Sequence, residues 1–154
     1  MLINNKKITG PSEEVVVIPR RDGNLVFKAK AVLKYDDFEK LCPRPEPPTI
    51  MRPGGEKAAD PTDKKYLEQL NNWASNKTLY MILTSLSVTE NLKWETVDMS
   101  KPDTWKNYDD ELRSSGFSEA EIARIFGIVV AANGLDQTKI DQATASFLAG
   151  QQAR

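Results

Sequence analysis

The chain has 154 residues, 40% of them hydrophobic and 28% charged, with a formal net charge of −1. That is the composition of about one folded domain, long enough to bury a core without cross-links or metal, and its near-neutral charge gives no pull toward nucleic acid or an anionic membrane surface. Histidine is absent, which excludes Ser-His-Asp and Cys-His nucleophilic machinery, imidazole acid–base work and histidine metal ligation.

Cys42 is the single cysteine, so no internal disulfide is expected, in keeping with a reducing cytoplasm. "MLINNKKITGPSEE" lacks the apolar segment of a signal peptide. Apolar runs such as Val15–Ile18 and Leu79–Leu83 fall far short of the roughly 20 residues that span a bilayer.

"VVVIPRRDGNLVFKAKAVL" predicts a β-hairpin: Val15–Ile18 is β-branched, Asp22-Gly23 is a turn signal, and apolar and polar residues alternate after it. Leu25, Phe27, Ala29, Ala31 and Leu33 share the face expected to be covered, with Lys28 and Lys30 pointing away. "YDDFEKLCP" allows a short helix stopped at Pro43. The proline- and glycine-rich stretch that follows, through Asp60, reads as an irregular linker, mobile or functional.

Asp60-Pro61-Thr62-Asp63 predicts a helix start, with Asp60 as cap and Pro61 first in the helix, running to about Ser87. Tyr66, Leu67, Leu70, Trp73 and Ala74 make its apolar stripe, and Leu79–Leu83 should be its most buried end. Leu92, Trp94 and Val97 are expected half-buried in a loop. Ser100-Lys101-Pro102-Asp103 opens another helix, ended by Gly116. "FSEAEI" combines a capping box, Ser118 with Glu121, and a staple of Phe117 on Ile122. In that helix Ile122, Phe126 and Val129 are predicted to pack inward. Gly134 closes it, Asp136 caps the last helix with Leu135 stapled to Ile140, and the two should form a tight helical hairpin.

No motif here carries chemistry. "RPGGEK" (Arg52 to Lys57) lacks phosphate-loop spacing and reads as a flexible loop. Asp36-Asp37-Glu39 and Asp109-Asp110-Glu111 could in principle hold a divalent cation, but read as solvated helix faces. Lys28, Lys30 and Lys34 read as guards of an edge strand, Trp73, Trp94 and Trp105 as packing residues, and Cys42 as an inert thiol. Apolar residues outside the main stripe of the penultimate helix, Ile128 among them, leave two readings open: burial in the chain's own core or cover by a partner.

Residues 112 to 150, "LRSSGFSEAEIARIFGIVVAANGLDQTKIDQATASFLAG", resemble the C-terminal signature of small tail assembly proteins of long-tailed bacteriophages. The positions that match are Gly116, Phe117, Ser118, Glu121, Arg124, Ile125, Asn133, Leu135, Asp136, Ala143, Phe147 and Leu148. "VVVIPRRDGNLVFKAKAVL" and "CPRPEPP" resemble the front half of the same group. The resemblance implies a tail assembly chaperone acting in the host bacterial cytoplasm. Its implied partners are the tape measure protein, whose long helices such proteins cover before the tube polymerises, and the tail tube protein. A structural tail or connector subunit is the alternative, with a small enzyme or regulatory binder further behind.

The expected fold is therefore α+β: a β-hairpin and short helix in residues 1–42, a linker over 43–60, and about four helices in 61–154, the whole forming either one domain or two parts. No catalytic, cofactor or metal residues are expected, and no nucleic-acid or membrane partner. Phe147, Leu148, Ile140 and Ile128 are the candidate partner-binding residues, serving a client or self-association into a homo-oligomer.

Overall fold

The computed structural model describes residues 1–153 as an α+β chain: strand hairpins lead, and helices make up most of the rest. Hairpin β1–β2 (Leu2–Ile3, Lys6–Lys7) is small and exposed. Strands β3 (Glu13–Ile18) and β4 (Leu25–Lys30) pair antiparallel from Ile18 opposite Leu25 to Glu13 opposite Lys30. The alternation in β4 buries Phe27 and Ala29 on one face, beside Ile18 of β3. Leu25 and Leu33, expected on that covered face, are exposed at 40% and 72%. Leu25 lies at the turn end of the hairpin, beside the connecting loop, and Leu33 lies beyond the end of β4.

Helix α1 (Asp36–Leu41) buries Phe38. The expected linker contains a third hairpin, β5 (Thr49–Met51) with β6 (Lys57–Ala59). Its turn is "RPGGEK": Arg52 N–H donates to Glu56 O at 2.8 Å and Gly55 N–H to Arg52 O at 3.1 Å. Gly54 and Gly55 both take positive φ, at 101° and 80°, which only glycine adopts readily. The glycines that suggested flexibility are thus what this tight turn requires.

Helix α2 (Lys64–Leu86) starts later than expected, with Asp63 as cap: its carboxylate accepts from Tyr66 N–H at 2.9 Å. Asp60 instead folds onto Thr62, accepting from its N–H at 3.0 Å and its hydroxyl at 2.6 Å. That local turn competes with helix and holds Pro61 and Thr62 outside it. Only the C-terminal half of α2 is core: Tyr80, Met81, Ile82, Leu83, Ser85 and Leu86 are buried, whereas Leu67 is 47% exposed.

The next helix also starts late. Pro102–Thr104 is a single 3₁₀ turn, and α3 (Asn107–Ser114) follows it. Glu111 is not simply a solvated acid. Its carboxylate accepts from Glu95 N–H at 2.6 Å and from the Thr96 hydroxyl at 2.7 Å, tying down the loop that holds half-buried Leu92, Trp94 and Val97. Gly116 (φ 92°) ends α3, with Phe117 N–H donating back to Leu112 O at 3.1 Å.

Helix α4 (Glu119–Ala132) opens with the expected capping box, Ser118 and Glu121 bonding reciprocally at 3.3 and 2.9 Å. Glu121 also receives both guanidinium nitrogens of Arg20, one at 2.8 Å, and Arg20 lies over the Phe117 ring at 4.9 Å. The Arg20 hydrogen bond, with help from Ser118, holds the Glu121 carboxyl down at about 2. Ile125, Ile128, Val129 and Ala132 are buried against β3, β4 and α2. Val129 packs inward as expected and Ile122 packs partly so, but Phe126 does not: it is 41% exposed. Ile128 takes that inward place at 9% exposure.

Two clusters make the core, and both join residues from the first 42 positions to the later helices. One holds Ile18, Phe27 and Ala29 with the inner faces of α2 and α4. The other is aromatic, with Phe38, Tyr80 and Trp105 at centroid separations of 5.5–6.3 Å; such pairs add about 0.5–1.5 kcal/mol each beyond their burial.

A candidate partner-binding surface

The C-terminal helix α5 (Gln137–Gln152) is placed by the elbow before it. Gly134 takes φ 69° and ends α4, Gly134 N–H donating to Ala131 O at 3.1 Å and Leu135 N–H to Val130 O at 2.9 Å. This is the left-handed helix stop that an L side chain adopts only at a cost. Asn133, one residue earlier, joins three elements. Its amide NH₂ donates to Ser85 Oγ and Val129 O, both at 2.8 Å, and its oxygen accepts from Val32 N–H at 2.9 Å. Ser85 is wholly buried, so this hub satisfies polar groups that water does not reach. Asp136 then caps α5, accepting from Lys139 N–H at 3.2 Å.

Beyond the elbow, α5 leaves the body. No residue of α5 is buried, and the helix does not fold back along α4 into the expected tight hairpin. One tie to the rest is Lys139, whose ammonium lies 3.6 Å from Glu14 of β3. Ile140, Phe147 and Leu148 are 43%, 64% and 54% exposed; their spacing puts them on one side of the helix, with Ala143 and Thr144 between them. Leu135 is 58% exposed, so the predicted staple onto Ile140 buries neither residue. Lys139 and Asp141 are the charged residues of α5, and from Gln142 to Ala153 the sequence carries no charge.

Three of the four candidate residues therefore lie together on an open helix face. The fourth does not: Ile128 is in the core, because its position on α4 points toward β4 and α2, and it is withdrawn as a partner contact.

At the root of α5 the surface continues into a groove that periodicity alone did not indicate. It is lined by Tyr35, Trp73, Lys77, Met81 and Leu135, among others. The Lys77 ammonium sits 5.0 Å from the Tyr35 ring centroid and 5.3 Å from that of Trp73. Burial, then the neighbouring Tyr80, raises the Tyr35 hydroxyl above its ordinary value, so it is a neutral hydrogen-bonding group at physiological pH. The signal available in sequence was Trp73, Lys77 and Met81 at helical spacing, but Tyr35 and Leu135 come to them only through the fold.

Among the described residues no group of acidic or cysteine side chains is arranged to hold a metal ion, and no helix is long and apolar enough to cross a membrane. Burial pushes the Cys42 thiol up, away from the reactive thiolate. No protein family, curated protein or solved structure matches the chain.

Proposed function

We propose that this chain is a tail assembly chaperone of a long-tailed bacteriophage, which binds and solubilises the tape measure protein in the host cytoplasm and performs no catalysis. One observation carries the reading beyond the sequence resemblance: α5 is a fully exposed helix with an apolar stripe and no charge after Asp141. Surfaces destined for water carry Lys and Glu; surfaces destined for a partner lose them and gain aromatic and aliphatic anchors. A stripe at i, i+7 and i+8 suits another helix, as in helix-groove recognition, and a tape measure protein is a long helical client. On this reading Phe147 and Leu148 are the anchors, Ile140 extends the stripe, and the tail tube protein displaces the chaperone during polymerisation.

The test is co-expression with the tape measure protein of the same phage. The wild-type chain should hold it in the soluble fraction, and the double substitution Phe147→Ser with Leu148→Ser should lose that ability. Because neither side chain is buried, the melting temperature of the isolated protein should move by no more than about 2 °C. Retained solubilisation by the double variant would remove α5 from the reading. Recovery of the chain from finished phage particles would instead favour a structural tail or connector subunit.

A further inference from the structure

The groove at the root of α5 is built on one side of α2. Trp73, Lys77, Thr78 and Met81 line it over roughly two turns of that helix, about 12 Å, and Tyr35 and Leu135 complete the walls of a volume of about 290 Å³. The backbone here offers a ligand nothing, because the peptide groups of α2 are spent on the helix itself. The Thr78 hydroxyl donates to Ala74 O at 3.2 Å and the Trp73 indole N–H to Cys42 O at 3.0 Å. An extended segment laid here would strip water from its own N–H and C=O groups and find no partners for them. A helix arrives with those groups already bonded, and a groove running along a helix is the shape that receives one.

Charge narrows the occupant further. Lys77 is the only charged residue of α2 beyond Glu68, and it is half-buried beside the Tyr35 and Trp73 rings. Arg44 lies over the same Trp73 ring at 5.3 Å. Neither cation makes an ion pair among the described residues, although Asp36 and Asp37 follow Tyr35 directly in the chain. A wholly apolar helix covering the groove would take Lys77 out of water unpaired, and a basic one would add a like charge; both are costly. A carboxylate beside the apolar anchor meets the ammonium and leaves its ring contacts in place.

We propose that this groove docks an acidic amphipathic helix of a partner protein, with a Leu or Phe side chain among Trp73, Met81 and Leu135 and a carboxylate one turn away on Lys77. Assigning that helix to the tape measure protein rests on the function proposed above; the chemistry of the groove does not.

The probe is a blocked peptide of about 18 residues, long enough to hold a helix, built on Ala and Gln with Leu and Phe along one face and Glu flanking them. Its twin carries Lys in place of Glu. In low salt, anisotropy of the labelled peptides should show the Glu form binding the full chain roughly tenfold more tightly than the Lys form. Lys77→Glu should reverse that order, and Lys77→Met, which keeps the stem and removes the charge, should erase it. Arg44→Glu, at an exposed position, should narrow the gap, and it decides the matter if the Lys77 variants do not fold. Equal binding of the two peptides, binding of neither, or an order indifferent to these charges would overturn the proposal. Co-expression separates it from the chaperone reading. Tape measure protein kept soluble by the wild-type chain and equally by Lys77→Glu would remove the groove as the client's site and leave the chaperone standing. The expected peptide selectivity, with tape measure protein insoluble beside the wild-type chain, would remove the chaperone reading and leave the groove.

Discussion

Helices α4 and α5 are near twins by local rules and opposites in what they do. Each starts at a side-chain cap, Ser118 or Asp136, and each carries an apolar stripe. Yet α4 buries Ile125, Ile128, Val129 and Ala132, whereas α5 buries nothing. The difference lies in what each stripe meets. The face of α4 falls on Ile18, Phe27 and Leu86; α5 is turned away at Gly134, and its contact with β3 through Lys139 and Glu14 buries none of its residues. Caps and periodicity therefore specify that a helix forms, while the turn before it decides whether it becomes core.

The comparison breaks most sharply under truncation of side chains. Ile125→Ala on α4 should cost about 2–5 kcal/mol in urea unfolding, the usual loss for a large-to-small change at a buried site. Phe147→Ala on α5 should stay within about 0.5 kcal/mol, as for an exposed position. Equal losses at the two sites would mean that α5 docks in solution.

Next comes the elbow that separates the twins. Asn133→Ala leaves Val32 N–H and the Ser85 hydroxyl without their partner, which should cost about 1–3 kcal/mol in the same measurement. Asn133→Asp sharpens the point, because it keeps the acceptor for Val32 but loses the donor to Ser85; it should fall between wild type and Asn133→Ala.

A smaller effect separates the start of α4 from that of α5 by pH. Glu121 is held at about 2 by the hydrogen bond from Arg20, against an ordinary value of 4.5. A depressed carboxylate contributes stability that is complete above its unfolded value and is lost as pH falls toward its folded one. Melting temperature should thus decline between about pH 4.5 and pH 2, and Glu121→Gln should flatten that part of the curve while lowering its plateau. Asp136→Ala at the start of α5 should leave the melting temperature unchanged, because α5 adds nothing buried to the fold.

Much of this contrast could be read in residues. The α+β class, the β3–β4 hairpin, the burial of Leu83 and its neighbours, the capping box at Ser118 and the stop at Gly134 all rest on local chemistry acting within a few positions. What sequence missed depends on direction or on competition. Phe126 and Ile128 exchanged roles because both lie at the border of the α4 stripe, and only the position of β4 and α2 decides which one is inside. Asp60 lost the cap of α2 to Asp63 because its own turn with Thr62 came first. The surface on α5 was half legible: Phe147 and Leu148 were visible as apolar residues with little chain after them, but the groove of Tyr35, Trp73 and Leu135 draws on segments far apart in sequence.

The three tryptophans stand in three different settings. Trp105 is sealed in the aromatic cluster, and Trp94, within the Glu111-tied loop, meets Tyr108 edge-on. Trp73, its indole N–H donating to Cys42 O at 3.0 Å, forms a wall of the groove at the root of α5. The protein thus carries its own optical probes: emission from Trp105 follows the collapse of the core, and emission from Trp73 follows whatever enters the groove. With Trp94 changed to Phe, a change in emission while the chain stays folded would report an occupied groove, because Trp73 is the remaining tryptophan that lines it.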